Sequence, residues 1–359
     1  MEKSLYFKYV EKFFPGLVLK IVEKTNGSSK TPSYLYRELL TKSFSADGRW
    51  ASVLAEYSRV AADVVALDSE LPLKTRDSIE AVTGDIPKIG MKLALREKQI
   101  KAIDSMLTQN LPLETVVSKM FADLPRCIDG VYERIEDMFL SEMSTGVGLS
   151  ERNNGTGVRI DVGYNPANQF GVAAKWAENP TTATPIADIQ KIFDKAEEDG
   201  NVITAVSLDD YAIRALAKCS EMKQQYAFDQ NFVGTNIPNL SFAQIRSVFE
   251  SQWGVTTRRI ARGIRTELNG QRGRHNPWAK GRLVFTCDEK IGKLVWTTLA
   301  ETTRPLPNVV YQIADEFILA SRYATNDPFK EVTSSQAMVV PIIDNVDRIY
   351  TLDPETVQG

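Results

Sequence analysis

Apolar and polar residues alternate most clearly between residues 69 and 99. In the last part of this stretch, every second position is apolar, namely Ile89, Met91, Leu93 and Leu95. A period of two is typical of a strand with one wetter face. The residues Gly-Asp-Ile-Pro at 84–87 interrupt the pattern and predict bends. We therefore expect residues 50–100 to form a long two-stranded projection. Because an isolated ribbon is marginal in water, this projection should lean on another surface.

A helical period replaces the alternation between residues 111 and 144. The apolar positions follow three-and-four spacing and are Ile128, Val131, Ile135, Met138 and Phe139. The charged positions expected on the opposite face are Glu133, Arg134, Glu136 and Asp137. This amphipathic pattern predicts one long helix that buries a single face.

The two ends of the chain follow different patterns. Residues 1–45 contain short apolar pieces separated by turn-forming residues, and they predict an N-terminal arm that neighbouring structure holds in place. After residue 159, helical and strand-like stretches alternate, which indicates a mixed α/β region. Residues 201–208 are typical of a short buried strand.

Helix boundaries in this second region are marked by capping residues. Thr184 and Pro185 predict the start of one helix and Gly200 predicts its end. Capping boxes predict two further helix starts, and they pair Ser207 with Asp210 and Ser241 with Gln244. The second of these helices should stop at Gly254.

Composition is that of an ordinary soluble protein. The chain has 359 residues, of which 43% are hydrophobic and 25% charged, and its formal net charge is −3. The chain as a whole is therefore not a polyanion binder. Three cysteines, Cys127, Cys219 and Cys287, are far apart and predict inert thiols in a reducing compartment. No apolar run reaches the roughly 20 residues of a membrane span, and the N-terminal residues alternate charge too often for a signal peptide.

Candidate catalytic and metal-binding residues are sparse. His275 is the only histidine and lies in a turn-rich polar segment, where a plain loop residue is the simpler interpretation than a general base. One histidine and three scattered cysteines exclude the common zinc patterns. The glycine-rich loop 146–157 could bring backbone N–H groups to an anion, but it lacks the lysine of a phosphate loop. We therefore expect no catalytic residue, no cofactor and no metal site.

One segment, residues 257–282, is strongly basic. Its cationic residues are Arg258, Arg259, Arg262, Arg265, Arg272, Arg274, Lys280 and Arg282, and its single carboxylate is Glu267. On two strands joined at Asn269-Gly270, these side chains would form a basic ribbon. One interpretation is contact with the phosphate backbone of a nucleic acid. The other is pairing with carboxylates of another subunit, which arginine binds in bidentate geometry. The negative net charge favours the second.

The order of these elements resembles the major capsid proteins of tailed bacteriophages, and most closely the lambda-type major capsid protein E family. Four stretches support the resemblance. They are IPKIGMKLALREKQI leading into the long helix, PIADIQKIFDKAEEDGNVITAVSLDDYAIRALAKC, HNPWAKGRLVFTCDEKIGKLVW, and DPFKEVTSSQAMVVPIIDNVDRIYTLD near the end.

The resemblance implies an α+β fold, the tailed-phage major capsid fold. Its parts would be an N-terminal arm, an extended β-hairpin loop, a peripheral domain with a long spine helix, and an axial α/β domain. The implied boundaries are 1–46 for the arm, 47–100 for the extended loop, 101–160 for the peripheral domain with its spine helix, 161–325 for the axial domain, and 326–359 for terminal strands that return to the peripheral domain.

The function implied by the resemblance is that of a major capsid protein. Pentamers and hexamers of this chain would assemble into an icosahedral shell that encloses the phage genome, without catalytic activity. Further implied partners are scaffold and portal proteins and packaged DNA on the inner face, with a decoration protein as another candidate and no membrane. The implied location is the virion capsid, after assembly in the host cytoplasm. Inter-subunit candidates in the extended loop are Lys74, Arg76, Asp77, Glu80, Asp85, Lys88 and Lys92.

Two other functions stay open on the sequence. The first is a nucleic-acid-binding structural protein that uses residues 257–282. The second is an enzyme that uses the 146–157 loop, which is the poorest fit of the three to the sequence.

Overall fold

The computed structural model describes residues 2–26, 34–55, 79–149, 159–231, 234, 237–268 and 271–358. The α-helices are α1 Phe7–Asn26, α2 Leu35–Leu39, α3 Glu97–Thr108, α4 Leu113–Met120, α5 Asp123–Thr145, α6 Pro185–Glu198, α7 Asp210–Lys218, α8 Ser220–Asp229, α9 Phe242–Trp253 and α10 Ala300–Thr303. The strands are β1 Leu40–Phe44, β2 Arg49–Ala55, β3 Ile79–Asp85, β4 Lys88–Arg96, β5 Val147–Leu149, β6 Arg159–Asp161, β7 Gln169–Val172, β8 Ala205–Asp209, β9 Thr256–Ile260, β10 Ile264–Leu268, β11 Gln271–His275, β12 Leu283–Thr286, β13 Gly292–Thr297, β14 Val310–Ala314, β15 Ile318–Thr325, β16 Lys330–Ile343 and β17 Ile349–Val357. Two short 3₁₀ helices span Pro166–Asn168 and Val346–Arg348.

The chain divides into two compact units. The first comprises Met1–Trp50, Thr83–Phe139 and Lys293–Ile342, and the second comprises Ala51–Val82, Leu140–Gly292 and Ile343–Gly359.

A six-stranded sheet forms the frame of the first unit. Its strand order is β1-β13-β16-β15-β14, with β4 beside β16. β4 pairs antiparallel with β16, from Arg96 opposite Lys330 to Lys88 opposite Met338. The alternating apolar residues of β4 therefore lie on a strand of the six-stranded sheet. The prediction that they belong to a two-stranded projection is wrong. The bend predicted at residues 84–87 is confirmed, because β3 ends at Asp85 and β4 starts at Lys88 in a different sheet.

The long amphipathic helix of the first unit is α5. Its apolar stripe is buried as predicted, with Ile128, Val131 and Ile135 fully inaccessible. Gly130 allows close packing on this face, since a Cβ added there would lie 2.6 Å from the Met91 sulfur. The single helix predicted over residues 111–144 is in fact two, because α4 ends at Met120 and α5 begins at Asp123.

Two charged residues expected on the exposed face of this helix are buried. Glu136 and Asp137 are only 2% and 4% exposed. Glu136 accepts hydrogen bonds from the backbone N–H groups of Leu35 (3.0 Å) and Tyr36 (3.2 Å), which are the free donors at the start of α2. Asp137 pairs with Arg134 at 2.7 Å. These partners compensate the cost of burying the two carboxylates.

The N-terminal region is more regular than its sequence indicates. Residues 7–26 form one 20-residue helix, α1, whose residues Val10, Phe14 and Val18 are fully buried at four-residue spacing. The Phe14 ring lies 6.2 Å from that of Phe121, and α1 lies against β14. The prediction of short pieces is therefore wrong, because this stripe continues through Pro15 without ending the helix.

A five-stranded sheet and four helices form the core of the second unit. The strand order is β7-β17-β12-β8-β9, in which β7 with β17 and β8 with β9 are parallel pairs. Helices α6 to α9 contribute Ile189, Leu216 and Phe249 to one hydrophobic cluster with Leu283 and Leu352 of the sheet. The mixed α/β organisation predicted for this region is confirmed.

The predicted caps of this unit have mixed outcomes. Thr184 precedes α6, and Gly200 follows its end with a φ of +70°. The capping box of Ser241 with Gln244 opens α9, as predicted. The box proposed for Ser207 is wrong, because β8 extends through that residue. Asp209 instead caps α7 by accepting a hydrogen bond from Ala212 N at 2.8 Å.

The predicted boundaries 161–325 and 326–359 do not coincide with the sheets. β14 and β15 precede residue 326, yet they pair with each other and with β16 in the six-stranded sheet. The two terminal strands belong to different sheets, because β16 pairs with β15 while β17 pairs with β12 and β7. Hydrogen-bonding partners so distant in sequence cannot be assigned from an alternation of apolar residues.

Candidate subunit-contact surfaces

The first candidate surface is the ribbon formed by β2 and β3, which make a two-stranded sheet of their own. At one end of the ribbon, the Ile86 N–H donates to the Gly48 carbonyl at 2.9 Å, and Arg49 Nε lies 3.5 Å from Asp85 Oδ1. Gly48 contacts Ile86 and Arg49 contacts Asp85, so residue numbers run in opposite directions along the two strands. The strands are therefore antiparallel. The chain therefore leaves along β2 and returns along β3.

A tryptophan fixes the start of the ribbon. Trp50 is only 5% exposed, and its indole lies next to Gly84. A Cβ at Gly84 would lie 2.8 Å from the indole Nε1, so a larger residue there would displace the ring. This close contact explains why a glycine interrupts the alternating pattern of β3.

The predicted contact residues of the extended loop fall into three groups. Lys74, Arg76 and Asp77 lie outside the described residues, and so does the side chain of Glu80 in β3. Asp85 lies at the end of the ribbon with its side chain 89% exposed. Lys88 and Lys92 lie on β4, which belongs to the six-stranded sheet. Lys88 pairs with Glu301 at 3.0 Å, and Lys92 is exposed opposite Ser334.

The basic segment 257–282 is not one continuous ribbon. β9 joins the five-stranded sheet, whereas β10 and β11 form a separate antiparallel hairpin. Arg258 on β9 and Arg262 after it are half-buried, and Arg265, Arg272 and Arg274 lie exposed on the hairpin. Lys280 and Arg282 follow between the hairpin and β12. The two predicted strands are thus confirmed for residues 264–268 and 271–275, and the predicted turn Asn269-Gly270 lies outside the described residues.

Several of these cations pair with groups of their own chain. Arg259 forms a two-point contact with Asp210 at 2.6 and 3.1 Å, and this hydrogen bonding lowers the pKa of the Asp210 carboxyl. Arg272 contacts Glu267 at 3.0 Å on the hairpin. These arginines are already neutralised, which weakens the interpretation of the whole segment as a phosphate-binding surface.

The last two cations of the segment also have internal partners. Arg282 binds Asp353 at 3.1 Å and the Ser144 carbonyl at 3.3 Å. Lys280 Nζ lies 4.1 Å from the centroid of the Tyr211 ring, a cation–π distance. The sequence did not reveal these pairings, because Asp210 and Asp353 are far from the basic segment along the chain.

The three cysteines are buried, and burial disfavours their reactive thiolate form. Burial raises the pKa of the Cys127 and Cys287 thiols to about 12 and that of Cys219 to about 11. His275 is half-buried opposite Ile264 on the hairpin. Within the described ranges, no group of three or more histidine, cysteine, aspartate or glutamate side chains is arranged to hold a metal ion. No helix in the described part of the chain is long and apolar enough to cross a membrane.

Known structures share this arrangement of sheets and helices. A crystal structure assigned as the capsid protein of a prophage of E. coli CFT073 has a TM-score of 0.57 and 12% identity, with 93% of this chain and 97% of that chain covered. A phage-related protein from Bordetella bronchiseptica RB50 has a TM-score of 0.52 and 9% identity, with 93% and 96% covered. The fold is therefore the α+β fold of tailed-phage major capsid proteins.

The sequence profile of the family described as phage major capsid protein E matches residues 54–264, more than half of the chain. The chain belongs to this family. It is a shell-forming major capsid protein that assembles with copies of itself, and its location is the virion capsid. A nucleic-acid-binding role of the basic segment is not favoured. No curated protein matches the chain significantly.

Proposed function

We propose that the β2–β3 ribbon joins subunits of the shell by lying on the surface of an adjacent copy. The observation that supports this role is the separate two-stranded sheet, whose strands pair with no other described strand. Such a ribbon is marginal in water by itself, so a surface that covers it would stabilise it. Copies related by a rotation would make the same contact in turn, and such heterologous contacts close into rings.

In this proposal, the rings are the pentamers and hexamers of an icosahedral shell. The extended-loop residues at positions 74–85 contribute inter-subunit contacts through the ribbon, and the axial region near 161–325 surrounds the ring centres. Asp85 is the described candidate on the ribbon whose carboxylate is most open to a neighbour. Lys88 and Lys92 would instead make inter-subunit contacts from β4 of the six-stranded sheet.

The role is structural and not enzymatic. Membership of a capsid protein family supports this assignment, together with three buried cysteines whose thiols have raised pKa values. A thiol kept protonated by burial is a poor nucleophile. We expect scaffold and portal proteins as further partners, packaged DNA on the inner face, a decoration protein as an outer candidate, and assembly in the host cytoplasm.

Shortening the ribbon tests its role in assembly. Since β2 and β3 are antiparallel and Trp50 lies against Gly84, these two residues are about 5 Å apart, and Asn-Gly can replace residues 51–83 as a tight hairpin turn that removes the ribbon beyond its base. We expect a subunit that unfolds within a few degrees of the wild-type temperature and that forms no shells in negative-stain images. Shells of normal size and yield would overturn the proposed role. A larger deletion through residue 90 is unsuitable, because it removes the first part of β4 from the six-stranded sheet.

A further inference from the structure

The β10–β11 hairpin carries two arginines whose positions are electrostatically unfavourable in the isolated chain. Arg265 lies directly opposite Arg274 in the strand register, and both are exposed. Like charges in directly opposed positions destabilise a strand pair. Of the carboxylates that the structure describes, none forms an ion pair with either arginine, whereas neighbouring Arg272 binds Glu267. The repulsion between Arg265 and Arg274 is thus not relieved within the described chain.

The Arg274 guanidinium lies beside a glycine. A Cβ built on Gly263 would collide with the Arg274 Nε and its Nη2, so the guanidinium lies directly over this position. A larger residue at position 263 would require the guanidinium to move. Ile264 is 2% exposed and anchors the base of the hairpin beside it. Gly263 therefore leaves space for the Arg274 guanidinium, and the buried Ile264 fixes the backbone that carries the arginine pair.

The same unit carries two neighbouring carboxylates whose negative charges are in an unfavourable position. Glu197 and Glu198 are exposed in the last turn of α6. The C-terminal end of a helix bears partial negative charge, so acidic residues there are unfavourable. Within the described part of the chain, neither glutamate has an ion-pair partner. Lys195 in the same turn pairs instead with Asp199.

We propose that Arg265 and Arg274 of one copy bind Glu197 and Glu198 of the adjacent copy. This pairing rests on the shell-forming function. It is a second contact between subunits, in addition to the contact made by the ribbon. It relieves both unfavourable charge pairs at once, and arginine matches carboxylates in bidentate geometry. Packaged DNA is the weaker partner, because the nucleic-acid-binding role of the basic segment is not favoured.

Charge exchange tests the pairing. Arg265→Glu with Arg274→Glu should raise the protein concentration needed for assembly at least about tenfold, and Glu197→Arg with Glu198→Arg should do the same. The combination of all four substitutions should restore assembly to within about threefold of wild type. A combined variant that assembles no better than either parent overturns the pairing. Wild-type assembly in the same buffer checks the shell-forming function separately.

Two further measurements distinguish the pairing from an effect of net charge and from contact with DNA. The single substitution Arg274→Glu removes the repulsion with Arg265, so the unassembled subunit should melt at the same or a higher temperature while assembly weakens.

A matched control reverses two other exposed cations of this unit, Lys218 and Arg246, to glutamate and should assemble like wild type. An equal loss in this control would assign the effect to net charge and overturn the pairing. Arginine-reversed shells that form normally but contain less DNA would overturn it in favour of genome contact.

Discussion

Arg322 and Glu331 form an ion pair in which both side chains are fully buried, with 2.8 Å between Arg322 Nε and Glu331 Oε1. Arg322 also donates to the Met120 carbonyl at 3.0 Å. Glu331 accepts hydrogen bonds from the Ser4 hydroxyl and from the Leu5 N–H, the latter at 3.1 Å. One carboxylate therefore connects the N-terminal segment to β15 and β16.

Removal of the cation from this pair should be strongly destabilising. Arg322→Met leaves the Glu331 carboxylate buried without its counter-charge, and such changes cost about 3–5 kcal/mol of unfolding free energy. Urea unfolding of the unassembled subunit measures the loss. The exposed pair of Glu97 with Lys101 is the matched control, and Lys101→Ala should leave the unfolding free energy nearly unchanged because water screens a surface pair. A loss below about 1 kcal/mol for Arg322→Met would contradict the stabilising role of the buried pair.

Close packing at the start of the ribbon gives a second prediction. Gly84→Val places new atoms where the Trp50 indole lies, so the ring must move and the two strands must separate. We expect reduced assembly and a shift of Trp50 fluorescence toward that of a wetter environment. Gly273→Val is a suitable control on the other hairpin, since a Cβ there meets only the Thr266 hydroxyl at 3.4 Å. Unchanged fluorescence and unchanged assembly for Gly84→Val would show that the indole contact is not required.

A buried glutamate predicts the pH dependence of stability. Glu142 is fully buried, and desolvation raises the pKa of its carboxyl well above the usual value of 4.5. Its Oε1 accepts the Ile343 N–H at 2.8 Å, while its Oε2 has no hydrogen-bond partner among the described residues. Because the folded chain holds this proton more tightly than the unfolded chain, its contribution to stability is complete below pH 4.5 and is lost as the pH rises through the folded-state pKa.

Glu142→Gln keeps the shape and the Ile343 hydrogen bond but cannot ionise. The variant should gain stability relative to wild type as the pH rises above 4.5, by up to about 1.4 kcal/mol for each pH unit. Unfolding free energies of both proteins, measured in parallel between acid and neutral pH, provide the comparison. A difference that stays constant over this range would show that Glu142 is ionised in the folded chain.

Local chemistry made some elements predictable from the sequence. The capping box at Ser241 and the glycine at 254 mark α9 at both ends because those residues contact only their own helix. The hairpin at 264–275 follows from its strand pattern and central Asn-Gly. The alternation that ends at Leu95 correctly predicts a strand, yet it does not specify that the partner is β16, more than two hundred residues later.

Burial of charged residues was not predictable for a related physical reason. Glu136 looks like a solvent-facing helical residue until the N–H groups of α2 are placed beside it. The partners of Arg259 and Arg282 are likewise carboxylates from other elements. Segments that contact each other only in the folded chain determine which charges are neutralised, and therefore which ones remain for another subunit.

Assembly of the purified chain shows directly whether this protein builds a shell from copies of itself through its ribbon. Negative-stain electron microscopy of the concentrated wild-type protein and of the variant with Asn-Gly in place of residues 51–83, imaged with and without scaffold, gives the answer in one experiment. We expect shells, tubes or capsomer rings for the wild type and dispersed folded subunits for the variant. A wild-type protein that stays strictly monomeric at high concentration, or a variant that assembles equally well, would contradict assembly through the ribbon.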